Sequence, residues 1–202
     1  MTSLIIVSSL EVYRVNIGAS EFERILEHKR REEVHKYLAQ NNQILIKAFF
    51  PTGTFLCLSK FRFGTDFVSY FLLVKLWSTV TDIVLVEMEP PNVRPFNRYG
   101  NYSKRLNGAL QQITEWSAWI RKNRQFFHDS IVREAEQVNP SCLDTLRSRI
   151  QYDLLHAKIV IGRRAMMTEA DNSRRSSLYL DSRCGIEIVP YDRLLDVIGS
   201  EP

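Results

Sequence analysis

Residues 82–91 read DIVLVEMEPP, an apolar run that ends in two acidic residues and two prolines. Valine, isoleucine and leucine favour a β-strand, and proline cannot donate a hydrogen bond to a sheet, so the strand is predicted to end at Met88. Successive side chains of a strand point to opposite faces, so Glu87 and Glu89 are expected on the same side. The run therefore predicts a pair of carboxylates at the end of a strand.

A third acidic residue precedes the neighbouring predicted strand. Asp66 begins the run 66–74, which is rich in phenylalanine, tyrosine and valine and favours a strand. A short predicted turn separates this run from the strand that contains Glu87. If the two strands form a hairpin, Asp66 could reach the side on which Glu87 and Glu89 project.

Three carboxylates at one place would need a counter-ion. Like charges held close together raise one another's pKa, and a bound Mg²⁺ or Mn²⁺ with oxygen ligands relieves the repulsion. Asp66, Glu87 and Glu89 are therefore candidate ligands of a hard divalent cation. The competing interpretation is a solvated sheet edge, because acidic residues are usually exposed.

The remaining pattern indicates one α/β or α+β domain over residues 1–202. A chain of 202 residues that is 45% hydrophobic can bury one full core, and it contains no repeat or linker. Strands and helices alternate in the second half, which predicts a mixed sheet flanked by helices. The other predicted strands are 1–10, 44–50, 55–58, 158–162 and 185–190, with a hairpin turn at 51–53; the predicted helices are 20–38, 104–123, 126–138, a short one that follows Pro140 and continues to Leu155, and 191–198; 166–177 is predicted to be an exposed loop.

Positive charge is concentrated in one part of the chain. Residues 92–125 contain seven lysines and arginines against one glutamate, while the whole chain has a net charge of +4. Such a segment is typical either of a phosphate-binding surface or of a solvated helix face. The candidates for DNA contact are Arg94, Arg98, Lys104 and Arg105.

Cysteine usage and hydropathy indicate a cytoplasmic protein. The three cysteines are odd in number and lack paired spacing, which argues against a disulfide framework or a structural zinc site. No apolar run reaches the roughly 20 residues that span a bilayer.

Trp116 and Trp119 recur at helical spacing and are interpreted as packing residues rather than as base-stacking ones.

Several blocks of the sequence resemble the Shedu family of anti-phage nucleases, which belongs to the PD-(D/E)xK superfamily. They are the strand end around Glu87, ALQQITEWSAWI at 109–120, IVIGR at 159–163 and IEIVPYDRLL at 186–195. The resemblance covers about residues 33–195. It implies a restriction-endonuclease-like fold, magnesium-dependent cleavage of DNA and assembly into a homo-oligomer.

The same resemblance implies roles for particular residues. Asp66 and Glu87 match the metal-binding acids, and Gln112 matches a helix residue that faces the site. Glu33 in the first helix matches a further acid, although the neighbouring Glu32 fits this position as well. The family usually has lysine where Glu89 stands, so a catalytically silent DNA-binding or assembly module is the alternative to an active endonuclease.

Overall fold

The computed structural model describes residues 19–28, 30–50, 53–65, 67–138, 140–182 and 185–199. Within these ranges the chain forms eight α-helices and five β-strands. In chain order they are α1 (Ala19–His28), α2 (Arg31–Gln40), α3 (Gln43–Phe49), β1 (Thr54–Phe63), β2 (Phe67–Leu76), β3 (Thr81–Met88), α4 (Lys104–Lys122), α5 (Arg124–Val138), α6 (Leu143–Arg149), β4 (Asp153–Val160), α7 (Glu169–Asp181), β5 (Ile186–Val189) and α8 (Asp192–Gly199).

The five strands form one mixed sheet in the order β1-β2-β3-β4-β5. β1, β2 and β3 are antiparallel neighbours, whereas β3, β4 and β5 run parallel to one another. Parallel neighbours need long crossovers, which α4 to α6 provide between β3 and β4 and α7 provides between β4 and β5. This mixed sheet with flanking helices confirms the predicted fold class.

β3 is central and is buried on both faces. Ile83 and Leu85 pack in the cluster that contains α4 and α5, whereas Val84 and Val86 pack in the cluster that contains α1 to α3 and α8. Trp116 of α4 is fully buried in the first cluster, which confirms its interpretation as a packing residue. A strand covered on both faces places any polar residue at its end in a desolvated position.

The face alternation of β1 is interrupted at Lys60. Leu58 and Phe61 pack on the same side of the sheet although they are three residues apart. Lys60 between them has a φ of 51°, a left-handed backbone conformation that costs energy for a residue with a Cβ. This irregularity brings the Lys60 side chain to the α2 side of the sheet, where it contacts Glu32 and Tyr70.

Two predictions in the first third of the chain are wrong. The run 44–50 was expected to pair with 55–58 in a hairpin, but Gln43–Phe49 is a helix. A short apolar run buried on several sides shows no period that distinguishes helix from strand. The predicted helix 20–38 is two helices, because the chain adopts an extended conformation at Arg30, the residue before the start of α2. The predicted strand 1–10 and the turn residues Pro51 and Thr52 lie outside the described residues.

Two further corrections lie in the second half of the chain. The helix predicted to continue to Leu155 ends at Arg149, and β4 already begins at Asp153. The other correction is the segment 166–177. It was expected to be an exposed loop, but most of it belongs to α7, which begins after Thr168. The Thr168 hydroxyl accepts a hydrogen bond from the Asp171 backbone, and the Asp171 carboxylate accepts one from the Thr168 backbone. This capping box in the sequence indicates the start of a helix, whereas the polar composition of the segment favours a loop.

Candidate active site

Glu87 lies at the carboxyl end of β3 with only 2% of its surface exposed. It follows the last ladder pair of β2 and β3, Phe71 with Val86, and it pairs with Ile159 of β4 on its other side. Its pKa is raised to about 8, mainly by burial and also by the neighbouring Glu89, against the opposing charge of Arg31. The folded metal-free chain therefore holds this carboxyl largely protonated at neutral pH.

Glu89 is also buried, and its backbone is held at both ends. Its N–H donates to the Val160 carbonyl at 2.8 Å, and its carbonyl accepts from the Tyr191 hydroxyl at 2.8 Å. Arg31 Nη1 lies 3.8 Å from Glu89 Oε1, and Arg105 Nη1 lies 3.8 Å from Glu89 Oε2. Burial raises the pKa of Glu89, and the two guanidinium groups oppose that shift.

Arg31, at the start of α2, connects the helix to the end of β3. Its Nη1 also donates to the Met88 carbonyl at 3.3 Å, so the guanidinium lies beside the backbone between the two glutamates. Sequence reasoning missed this residue, since nothing in its local pattern indicates that α2 packs across the end of β3.

Glu32, next to Arg31, faces the sheet. Its Oε1 accepts from the Tyr70 hydroxyl at 2.6 Å, and its Oε2 lies 3.4 Å from Lys60 Nζ. The hydrogen bond from Tyr70 and the charge of Lys60 lower its pKa. Glu33 instead accepts a hydrogen bond from the Arg30 backbone at the start of the helix. Of the two candidates in this helix, the geometry favours Glu32 as the acid beside the site.

Tyr70 fills the position next to Glu87 on β2. It occupies the step after the Phe71–Val86 pair, and its pKa is raised mainly by burial and by the hydrogen bond to Glu32, with a smaller contribution from the charge of Glu87. Lys60 Nζ lies 3.7 Å from the centroid of the Tyr70 ring, a cation–π contact that fixes the lysine above the ring. Asp66, the third predicted acid, lies outside the described residues.

The two buried glutamates retain unused acceptor capacity. Among the described residues, none donates a hydrogen bond to Oε2 of Glu87 or to Oε2 of Glu89. Buried oxygens without donors are costly unless a cation binds them, and Mg²⁺ commonly uses one or two carboxylates together with water and substrate phosphate. The donor set thus fits a hard divalent cation. In the described ranges, however, no group of three or more His, Cys, Asp or Glu side chains is arranged around one point.

A cleft of roughly 450 Å³ opens beside Glu89. Its walls are the junction of α1 with α2, the loop after β3 and the first turn of α4. They include Arg30, Arg31, Glu32, Asn92 and Arg105. The cleft therefore carries three arginines, and two of them, Arg31 and Arg105, also lie beside the Glu89 carboxylate.

The other predicted site residues lie on α4 or on the loop between β3 and α4. Arg105 is 60% exposed yet reaches Glu89, so it, rather than Lys104, is the α4 cation beside the carboxylates. Gln112 is half-buried two turns after Arg105, on the same face of α4, and forms no hydrogen bond with either glutamate among the described residues. Arg94, Arg98 and Lys104 are exposed.

Comparison with known proteins identifies a family for most of the chain. The family model described as Shedu protein SduA, C-terminal, matches residues 28–195. The search of curated proteins gives no match. Across the described ranges, none of the helices combines the length and apolar character that a bilayer crossing requires.

Proposed function

Because the chain belongs to the Shedu family, which is associated with anti-phage defence, we propose that it is a metal-dependent DNA endonuclease. The observation that carries this proposal is the pair of buried glutamates at the end of β3, each with an oxygen that lacks a hydrogen-bond donor in the described structure. A cleft lined by Arg30, Arg31 and Arg105 lies next to Glu89, which the last two contact.

In this proposal Glu87 and Glu89 hold the cation, with Asp66 as the third predicted ligand. A bound Mg²⁺ or Mn²⁺ would supply Lewis-acid stabilisation of the scissile phosphate and a lowered pKa for the attacking water. Glu87 must lose its proton to serve as a ligand, and the positive charges of Arg31 and Lys60 favour that loss.

In the proposal, Arg105 and the exposed cations near it bind the phosphates of DNA. Arg105 is exposed enough to contact a phosphate oxygen while it remains beside Glu89. Lys104, Arg94 and Arg98 would hold the flanking phosphates, which gives binding that is independent of sequence and weakened by salt. Gln112, on the Arg105 face of α4, is proposed to orient substrate or water.

Cleavage of supercoiled plasmid DNA with Mg²⁺ or Mn²⁺ tests the assignment. Wild type is expected to nick the plasmid, whereas Glu87→Ala and Asp66→Ala should not, because each loses a carboxylate that binds the cation. Glu115→Ala is the matched control, since this glutamate is exposed on α4 and bonds only to Gln111 among the described residues. Equal cleavage by all four proteins would contradict the proposal.

One observation favours a catalytically silent DNA-binding module as the second candidate. Arg31 and Arg105 both lie 3.8 Å from Glu89, so its charge is compensated from within the protein. A silent module would bind DNA through its cations with no dependence on metal. Calorimetry separates the two candidates, because Mn²⁺ binding that is lost in Glu87→Ala supports the enzyme, while DNA affinity without any Mn²⁺ binding supports the module.

A further inference from the structure

Tyr99 is one of the most exposed aromatic side chains in the described ranges. It is 71% exposed and lies in the loop between β3 and α4. The guanidinium of Arg98 lies 4.7 Å from the centroid of its ring, and the same group donates a hydrogen bond to the Tyr99 hydroxyl. A planar cation and an aromatic ring are thus held together at the surface of the molecule.

The backbone beneath these two side chains is tightly closed. The Asn97 side-chain carbonyl accepts hydrogen bonds from the Tyr99 and Asn101 backbones at 2.9 and 3.1 Å. The Asn97 backbone bonds to Asn101 and to Gly100 at 2.8 and 2.9 Å. Four hydrogen bonds within five residues fix the loop, so Arg98 and Tyr99 are presented without the ordering cost of a mobile segment.

Helix α7 packs against the loop through Arg174. Gly100 has a φ of 79°, and a Cβ at this position would lie 2.3 Å from the Arg174 guanidinium, which therefore packs directly on the glycine backbone. Arg174 is held in turn by Asp171 at 3.0 Å. The position of the Arg98–Tyr99 pair is therefore fixed by the body of the domain.

We infer that the Arg98–Tyr99 pair is a stacking platform for an unpaired base of DNA; the choice of DNA as the partner rests on the proposed function. Every base has an aromatic face, so a tyrosine stacked with an arginine binds bases without regard to sequence. In a duplex these faces are covered by neighbouring bases, so the platform gains contact only with single-stranded or distorted DNA. Arg94 and Lys104, exposed at the two ends of the same loop, add charge for the backbone phosphates.

Fluorescence anisotropy with three labelled probes in EDTA tests the inference without cleavage. The probes are an oligothymidylate, a duplex of the same length and a single strand of the same length that carries abasic sites. Tyr99→Ala is expected to weaken oligothymidylate binding roughly 5- to 150-fold, the range for loss of one base stack, and to leave duplex binding within about twofold. Tyr99→Phe should bind as wild type because it keeps the ring.

Controls separate stacking from a general loss of affinity. Tyr179→Ala removes a tyrosine that is 47% exposed on α7 beside Leu180, and it should not change any of the three affinities. The abasic strand should bind wild type and Tyr99→Ala equally. Unchanged oligothymidylate affinity in Tyr99→Ala, or an equal loss for the duplex, overturns the inference.

The outcomes also distinguish this inference from the proposed nuclease. Tyr99-dependent binding of single strands without metal-dependent cleavage would retain the platform and reject the nuclease. Cleavage that depends on Glu87, together with an oligothymidylate affinity that Tyr99→Ala does not change, would retain the nuclease and reject the platform. A wild type with no affinity for any probe at low salt overturns the platform and the DNA-binding surface together.

Discussion

Substitution of Glu87 by glutamine removes the ionisable group while it keeps the shape of the side chain. In the metal-free protein burial raises the Glu87 pKa to about 8, whereas the ordinary value is 4.5. Between these two pH values the folded state holds a proton that the unfolded chain releases, so the free energy of unfolding falls as the pH rises. Stability from this group is therefore fully present below pH 4.5 and is lost by pH 8. At about 1.4 kcal/mol per pKa unit, the loss amounts to roughly 5 kcal/mol.

Urea unfolding of both proteins across this pH range measures the effect. Wild type and Glu87→Gln are expected to have similar unfolding free energies near pH 4.5, and the variant should become the more stable protein as the pH approaches 8. In the proposed function a divalent cation binds the ionised carboxylate, so Mn²⁺ should raise the stability of wild type at the upper end of the range and leave Glu87→Gln nearly unchanged. A difference between the two proteins that does not vary with pH would refute the reasoning.

Three further predictions concern the loop, the core and the charged surface. Gly100→Ala should lower the free energy of unfolding in urea by about 1–3 kcal/mol, because its φ is positive and the new Cβ would meet Arg174; Gly108→Ala, with open space around it in α4, should instead raise it by about 0.5–1 kcal/mol. Trp116→Ala should cost about 3–5 kcal/mol by the same measurement, since this side chain is fully buried, and a cost below 1 kcal/mol would contradict its place in the core. Lys104→Ala should reduce the slope of log Kd against log salt concentration for duplex DNA by about 0.9, and an unchanged slope would mean that this lysine touches no phosphate.

The strands that position the site were readable because their signals are local. The apolar run 82–88 and the prolines after Glu89 predict β3 and its end, and the structure has β3 at Thr81–Met88. The spacing of apolar residues predicts a helix at 104–123, and α4 is Lys104–Lys122. For β3 the apolar, β-branched composition was sufficient, and for α4 the spacing of the apolar residues matches the buried face, so neither element needed tertiary information.

The surroundings of the carboxylates could not be predicted in the same way. Arg31 contacts Met88 and Glu89 from a helix more than fifty residues earlier, and only the packing of α2 on the sheet brings them together. Lys60 reaches Tyr70 because its backbone is left-handed, and no residue type at this position signals that conformation. The sequence predicts acids at a strand end, but it does not indicate which residues contact them and determine their charge.

Those partners lower the electrostatic cost of the Glu89 carboxylate without donating a hydrogen bond to its Oε2, so this oxygen stays available to the proposed cation. Arg31 and Arg105 lie 3.8 Å from Glu89, beyond hydrogen-bonding distance, so they lower the electrostatic cost of the carboxylate while its Oε2 keeps its lone pairs. Glu32 differs, because Tyr70 donates to it at 2.6 Å and its charge is already satisfied. Of these three acids, Glu32 is thus bound within the protein, whereas Glu87 and Glu89 each keep an oxygen without a donor among the described residues. With Glu87 and Glu89 as its ligands, a divalent ion would take over the charge compensation, and both arginines would be free to turn toward a phosphate in the cleft.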